Sequence, residues 1–268
     1  TTDKTNTGNN LSGNTCQVFY YNSSLDITPS MAYGHSTVLD QLLADFTDVH
    51  IISGHTHNNT TMNIRNGLME HNTGGSCATW WWTGYYSNGH ICKDGAPGGM
   101  GVYEFRDTDL EWYYKGYGEP RDFQLRTYDM NNVKTFFANN SVIRNMIRYY
   151  PNRNDYANVG NNVVYINVWG WDPEWKVSVK ENGVELNPTR VYMKDPLHTY
   201  AYDATRVYKN SNNTYTEVLT SSNNYHLFAA NASSATSTLT IEVTDRFGNK
   251  YTETMSRPKE FAAQIENL

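Results

Sequence analysis

The sequence predicts an α+β, β-rich fold: a small α/β-layer part followed by an immunoglobulin- or fibronectin-like β-sandwich. Three observations carry this. Tyr far outnumbers Phe, at 21 against 9, in a chain rich in Asn, Thr and Ser, a composition that favours strands and turns over long helices. A helical spacing, a short apolar strand and a polar loop follow one another over residues 35–59. After Pro120, short β-type segments recur with turn residues between them.

In the first part, His35-Ser36-Thr37 offers a helix start, and Val38, Leu39, Leu42, Leu43 and Phe46 repeat at helical spacing. Val49-His50-Ile51-Ile52 reads as a buried strand that runs into the polar loop Ser53–Asn59. A loop at the C-terminal end of such a strand is a usual place for a functional site. Cys77–Trp82 reads as an aromatic strand. Asp94–Gly101 turns the chain, and Val102–Phe105 with Trp112–Lys115 reads as a hairpin.

Gly and Pro cluster at Gly116–Pro120, which sets the expected boundary between residues 1–117 and 118–268, with residues 1–30 read as loop or disordered chain. Beyond it, Phe123–Tyr128, Asn162–Val168, Trp175–Lys180, Leu239–Thr244 and Lys250–Met255 read as strands. Asn182-Gly183 and Asp245–Asn249 supply hairpin turns, and Val142–Tyr150 is the one helix the spacing supports. Regular short strands of this kind imply a sandwich.

The formal charge is −6, and no basic stripe is present to neutralise phosphates, which argues against a nucleic-acid polymer as partner. No apolar run is long enough to span a bilayer, and no signal peptide is present in the sequence. The three cysteines, Cys16, Cys77 and Cys92, lack metal-type spacing. They allow one disulfide with a free thiol, Cys77 to Cys92 being one pairing, or three reduced thiols. Buried thiols are the default reading.

The candidate chemistry lies in Gly54-His55-Thr56-His57. Two imidazoles at i and i+2 on an extended loop can each face a metal, and a pair of metals about 4 Å apart can take one each. The bland alternative is two surface histidines in a polar loop. The apolar strand before, the Gly immediately before and the Asn pair after favour the metal reading.

Val49–Asn58 resembles the last metal motif of calcineurin-like metallophosphoesterases, written GHxH. His71-Asn72, Trp80–Gly84 and Ile91–Gly99 are similar to the text that follows that motif in a Bacteroidetes-type subfamily with an extra β-domain. Trp112–Gly116, Trp171–Lys176, Thr244–Asn249 and Arg257-Pro258-Lys259 are similar to that extra domain. The resemblance covers most of residues 33–262. It implies a dimetal phosphoesterase hydrolysing phosphomonoesters or phosphodiesters, with His55 and His57 as metal ligands and two divalent ions (Mn, Fe or Zn) in the complete enzyme. It implies a phosphoester small molecule or a glycan-linked phosphoester as substrate, and a periplasmic or extracellular location.

The sequence departs from that pattern. It contains no Gly-Asp-x-x-Asp and no Gly-Asn-His, and Asp48-Val49-His50 falls on the strand feeding the GHTH loop rather than on a first strand. The place of a lone upstream His holds Thr15 and Cys16; His35 is nearest, and reads as a helix start. The carboxylates that hold the metals are therefore missing. The chain alone is expected to be an inactive fragment with weak or no metal binding, and no catalytic residue is assigned.

His71 and His90 are candidates to support the ligands from behind. Trp80 and Trp82 would line the substrate if the indoles stack on a sugar, although core packing is the favoured reading of this run. His198 and His226 read as structural, and Asp94-Gly95 as a turn. The alternative function is a non-catalytic binding module for glycan or protein at a cell surface.

Overall fold

The structure is a computed structural model, and it describes residues 18–21, 29–33, 43, 45–54, 56–65, 67–83, 89–107, 109–153, 155–206, 208–209, 215–216 and 221–263. His35, Cys16, His55 and most of the helix expected over 35–46 lie outside the described residues. The fold is β-rich with few helices.

Strands β1 (Val18–Tyr21) and β2 (Pro29–Tyr33) pair antiparallel. Strand β3 (Val49–Ser53) ends at the GHTH loop, one residue later than expected. It forms a three-stranded sheet with β4 (Thr60–Arg65) and β5 (Leu68–Asn72), in the order β3-β5-β4. β3 and β5 run parallel, with Ser53 opposite Asn72, so their C-terminal ends lie side by side. The expected hairpin forms β6 (Gly99–Arg106) and β7 (Asp109–Gly116).

The remaining strands form two four-stranded antiparallel sheets. The first has the order β12-β15-β9-β8, from β8 (Leu125–Asp129), β9 (Val163–Val168), β12 (Thr189–Met193) and β15 (Asn224–Asn231). The second has the order β11-β10-β16-β17, from β10 (Lys176–Glu181), β11 (Val184–Glu185), β16 (Leu239–Thr244) and β17 (Lys250–Met255). Val164, Ile166 and Val168 of the first sheet share one core with Val179, Ile241 and Val243 of the second. Each fully buried aliphatic side chain contributes about 1.5–3 kcal/mol. Two-residue strands β13 (Tyr208–Lys209) and β14 (Tyr215–Thr216) pair with each other.

A helical hairpin lies between β8 and β9. Helix α2 (Ser141–Tyr149) matches the expected one, and Asn140 caps it by accepting from the Val142 and Ile143 amides. Helix α1 (Met130–Asn139) was not expected from the sequence. Its text, MNNVKTFFAN, is poor in strong helix formers. The Asp129 cap, and Met130, Val133 and Phe137 facing a shared core, hold it instead. A helical run over 196–206, with a π-turn at Thr199–Asp203, packs against the same core.

The segments on either side of Gly116–Pro120 are packed together. Ala78, Cys92, Ala96 and Tyr114 form a cluster with Trp169, which follows β9. Asn167, inside the fully buried run VVYINV, donates to the Asp94 carbonyl (2.6 Å), as does Asn224 of β15 (2.8 Å).

Candidate active-site loop

The chain leaves β3 at Gly54 and is tied at once to β5. The Thr56 hydroxyl donates to Asn72 Oδ1 (2.6 Å), and Asn72 Nδ2 donates to the Gly54 carbonyl (3.4 Å). Beneath them the Ser53 hydroxyl donates to the buried Glu70 carboxylate (2.6 Å). Further along, the Asn59 amide donates to Asp94, and Asn59 Oδ1 accepts from the Gly74 amide (2.8 Å).

His57 adopts a left-handed backbone, φ 58°. Its Nδ1–H donates to the Ala78 carbonyl, its ring stacks on Trp80 at 4.9 Å and 27°, and its own carbonyl accepts from the Lys93 amide. A carbonyl acceptor at Nδ1 fixes the tautomer and leaves Nε2 with the lone pair. This is the support a metal-ligating imidazole requires, so His57 fits a metal ligand. Among the described residues no group of three His, Cys, Asp or Glu could hold a metal ion.

Trp80, Trp81 and Trp82 do not form the expected strand. Ala78, Trp80 and Trp81 have φ of 47°, 58° and 63°, and the run is a series of turns closed by Trp81 N–H to Cys77 O (2.8 Å) and Trp82 N–H to Thr79 O (3.2 Å). Core packing is overturned with it: the indoles are 46%, 57% and 40% exposed, whereas Ala78 and Thr79 are fully buried and anchor the turn. The Trp81 ring meets the edge of His90 at 5.2 Å. Trp82 lies parallel to Tyr202 at 6.3 Å, with the Arg206 guanidinium 4.3 Å from its centroid.

The family model described as the C terminal of Calcineurin-like phosphoesterase matches residues 70–251, about two thirds of the chain. The chain belongs to this family. No curated protein and no solved structure matches it.

In this calcineurin-like phosphoesterase C-terminal region, His71 lies on β5, bonded to His50 (Nε2 to Nδ1, 2.7 Å). His50 Nε2 in turn faces Asp48 (3.2 Å). With His50 Nε2–H donating to the carboxylate, His50 Nδ1 accepts from His71 Nε2–H. Burial, then His50 and Arg246, push the His71 pKa down to about 3. The rings that meet His71 are those of His50, Tyr103 and Trp112, so among the described residues it supports this layer rather than His57. Among the described residues, the ring that meets His90 is that of Trp81, not that of His57.

His198 and His226 sit in a buried layer behind the loop. The Thr79 hydroxyl donates to the Ile91 carbonyl, so His198 Nε2–H donates to Thr79 (2.9 Å) and Nδ1 accepts from Ser221 (2.6 Å). Both nitrogens are satisfied in the neutral ring, and burial pushes its pKa down to about 3.

Asp94 is the junction the sequence reading missed. Its carboxylate accepts from the Asn59 and Ala96 amides and meets His226 at 3.2 Å. Burial acts to raise its pKa, but the His226 and amide hydrogen bonds prevail and hold it below the usual carboxylate value. A signal was available: Asn167 inside an unbroken buried strand demands a polar partner. Cys77 and Cys92 are both free thiols.

Proposed function

We propose that this chain supplies the GHTH wall of a dimetal phosphoesterase centre, with His57 and His55 as ligands. The observation that carries the reading is the Ala78 carbonyl bonded to His57 Nδ1, which leaves Nε2 with the lone pair a metal ligand needs. When bound, two divalent metals would polarise the phosphoryl oxygen and activate water for attack on phosphorus. The chain's own residues orient the imidazole, and Trp80 shields one face of it. The carboxylates such a centre needs are not among the motifs of this sequence, so the chain by itself is read as catalytically inert.

The antiparallel region behind the loop is read as an immunoglobulin- or fibronectin-type sandwich. Support comes from strand order: β8-β9-β15-β12 and β10-β16-β17 follow the A-B-E-D and C-F-G pattern, with β11 as an added edge. A phosphoester small molecule is the substrate class the family suggests, and a periplasmic or extracellular location follows from the same resemblance. Among the described residues no helix is long and apolar enough to cross a membrane.

A second reading, a glycan- or protein-binding module without catalysis, is favoured by the three exposed indoles. Calorimetric titration with Mn²⁺ or Zn²⁺, beside an activated-phosphodiester assay, separates the two. The phosphoesterase reading expects weak binding lost in His57→Ala and in His55→Ala. It also expects turnover only when the missing carboxylates are supplied by a longer chain. Binding indifferent to both histidines, or a longer chain inert with every metal, overturns it.

A further inference from the structure

Trp80, the first of three consecutive exposed indoles, stands against His57 of the candidate metal loop. Their exposure is built in, because the turn that carries them is anchored by buried Ala78 and Thr79 and by Thr79 N–H to Ile91 O (3.1 Å). Left-handed backbone at Trp80 and Trp81 persists only where surrounding structure enforces it, and such enforcement clusters at ligand sites.

We propose that Trp80, Trp81 and Trp82 form a platform for the sugar portion of a phosphorylated carbohydrate, whose phosphate is met by Arg206 and faces the GHTH loop. This rests on the phosphoesterase reading and names its substrate class. Indole is the widest and most electron-rich side-chain ring, suited to the C–H face of a pyranose. Arg206 adds a cation 4.3 Å over Trp82, and among the described residues no carboxylate forms an ion pair with it. Trp80 lies against His57, so a sugar on Trp80 brings its phosphoester to the loop that would hold metal. The surrounding His57, His90 and Arg206 are polar, which suits a hydroxylated ring better than an acyl chain.

Calorimetry on residues 1–268 in EDTA tests the platform without metal, so its outcome is independent of the metal titration. The probes are glucose 6-phosphate and mannose 6-phosphate, against their neutral methyl glycosides, AMP and inorganic phosphate. Saturable binding of a sugar phosphate is expected, weakened roughly tenfold by Trp80→Ala and by Trp82→Ala. Arg206→Gln should weaken the sugar phosphates while leaving the methyl glycosides unchanged. Circular dichroism confirms that the variants fold, since the rings are exposed. Absence of binding to every sugar phosphate, equal affinity for AMP or inorganic phosphate, or tryptophan variants that bind as tightly as the parent overturns the proposal. Metal binding indifferent to both histidines, with sugar binding intact, would sink the catalytic reading alone.

Discussion

Gly95→Ala should be among the most damaging single-methyl additions in this protein. Gly95 has φ +84°, and a Cβ there would fall 2.0 Å from Asp195 Cγ. The left-handed backbone costs an alanine about 1 kcal/mol. The clash adds more, because Asp195 has nowhere to go: Oδ2 accepts from the Tyr128 hydroxyl (2.7 Å) and Asn167 Nδ2 (2.9 Å), and Oδ1 accepts from the His198 amide (2.9 Å). Moving it strands buried donors at about 1–3 kcal/mol each. A loss of about 4 kcal/mol follows, or roughly 8–16 °C in Tm for a chain of this size. Gly183→Ala is the control, with φ +81° but open space around the added methyl. It should cost about 1 kcal/mol and roughly 2–4 °C. Thermal unfolding followed by circular dichroism reads both. Equal shifts for the two variants would refute the argument from the Asp195 junction.

Three further outcomes follow. His71 and His198 have folded pKa values near 3, below the unfolded value of 6.5, so their contribution is complete above pH 6.5 and is lost as pH falls toward 3. Urea unfolding at pH 5 should show about 2 kcal/mol less stability per histidine than at pH 7.5. Arg257→Ala leaves the fully buried Asp129 carboxylate without its guanidinium and should cost about 3–5 kcal/mol, whereas Lys250→Ala, which removes an exposed pair with Glu242, should cost at most about 1 kcal/mol in the same assay. In a Cys16→Ser background a thiol reagent should titrate half-buried Cys77 readily and Cys92 only after denaturation, since burial raises the Cys92 thiol pKa well above its usual value.

What was legible in the sequence was local. β16 and β17 occupy the expected residues, and the Asn182-Gly183 turn has the positive φ angles its residues favour. Helix α1 was not legible, because its weak propensity is overridden by an Asp129 cap and by burial against distant residues. The Trp run misled for the same reason. Its aromatic text suits a strand, yet tight turns onto the Gly75 and Cys77 carbonyls, anchored by the distant Ile91 carbonyl, fold it instead. Within the GHTH loop, the motif pointed to His57, but the acceptor that orients it belongs to Ala78, 21 residues on.

The same long-range bonds bear on how the molecule unfolds. Gly116–Pro120 marks a change of secondary structure, but Asp94 joins Asn59 of the loop to His226 of β15, and its carbonyl is held by Asn167 and Asn224. Trp169 extends the connection into an apolar cluster with Cys92 and Tyr114. Opening the loop layer alone would strand the Asp94 and Asp195 partners in the sheet, at a cost of several times about 1–3 kcal/mol. Partial unfolding is therefore expected to be suppressed. Urea denaturation should give one transition, coincident by far-UV circular dichroism and by tryptophan emission, for residues on both sides of Gly116–Pro120. Asp94→Asn keeps the shape but removes the charge that His226 meets, and should separate the two curves. Two resolved transitions in the parent chain would show that the buried network is too weak to couple the loop to the sheets.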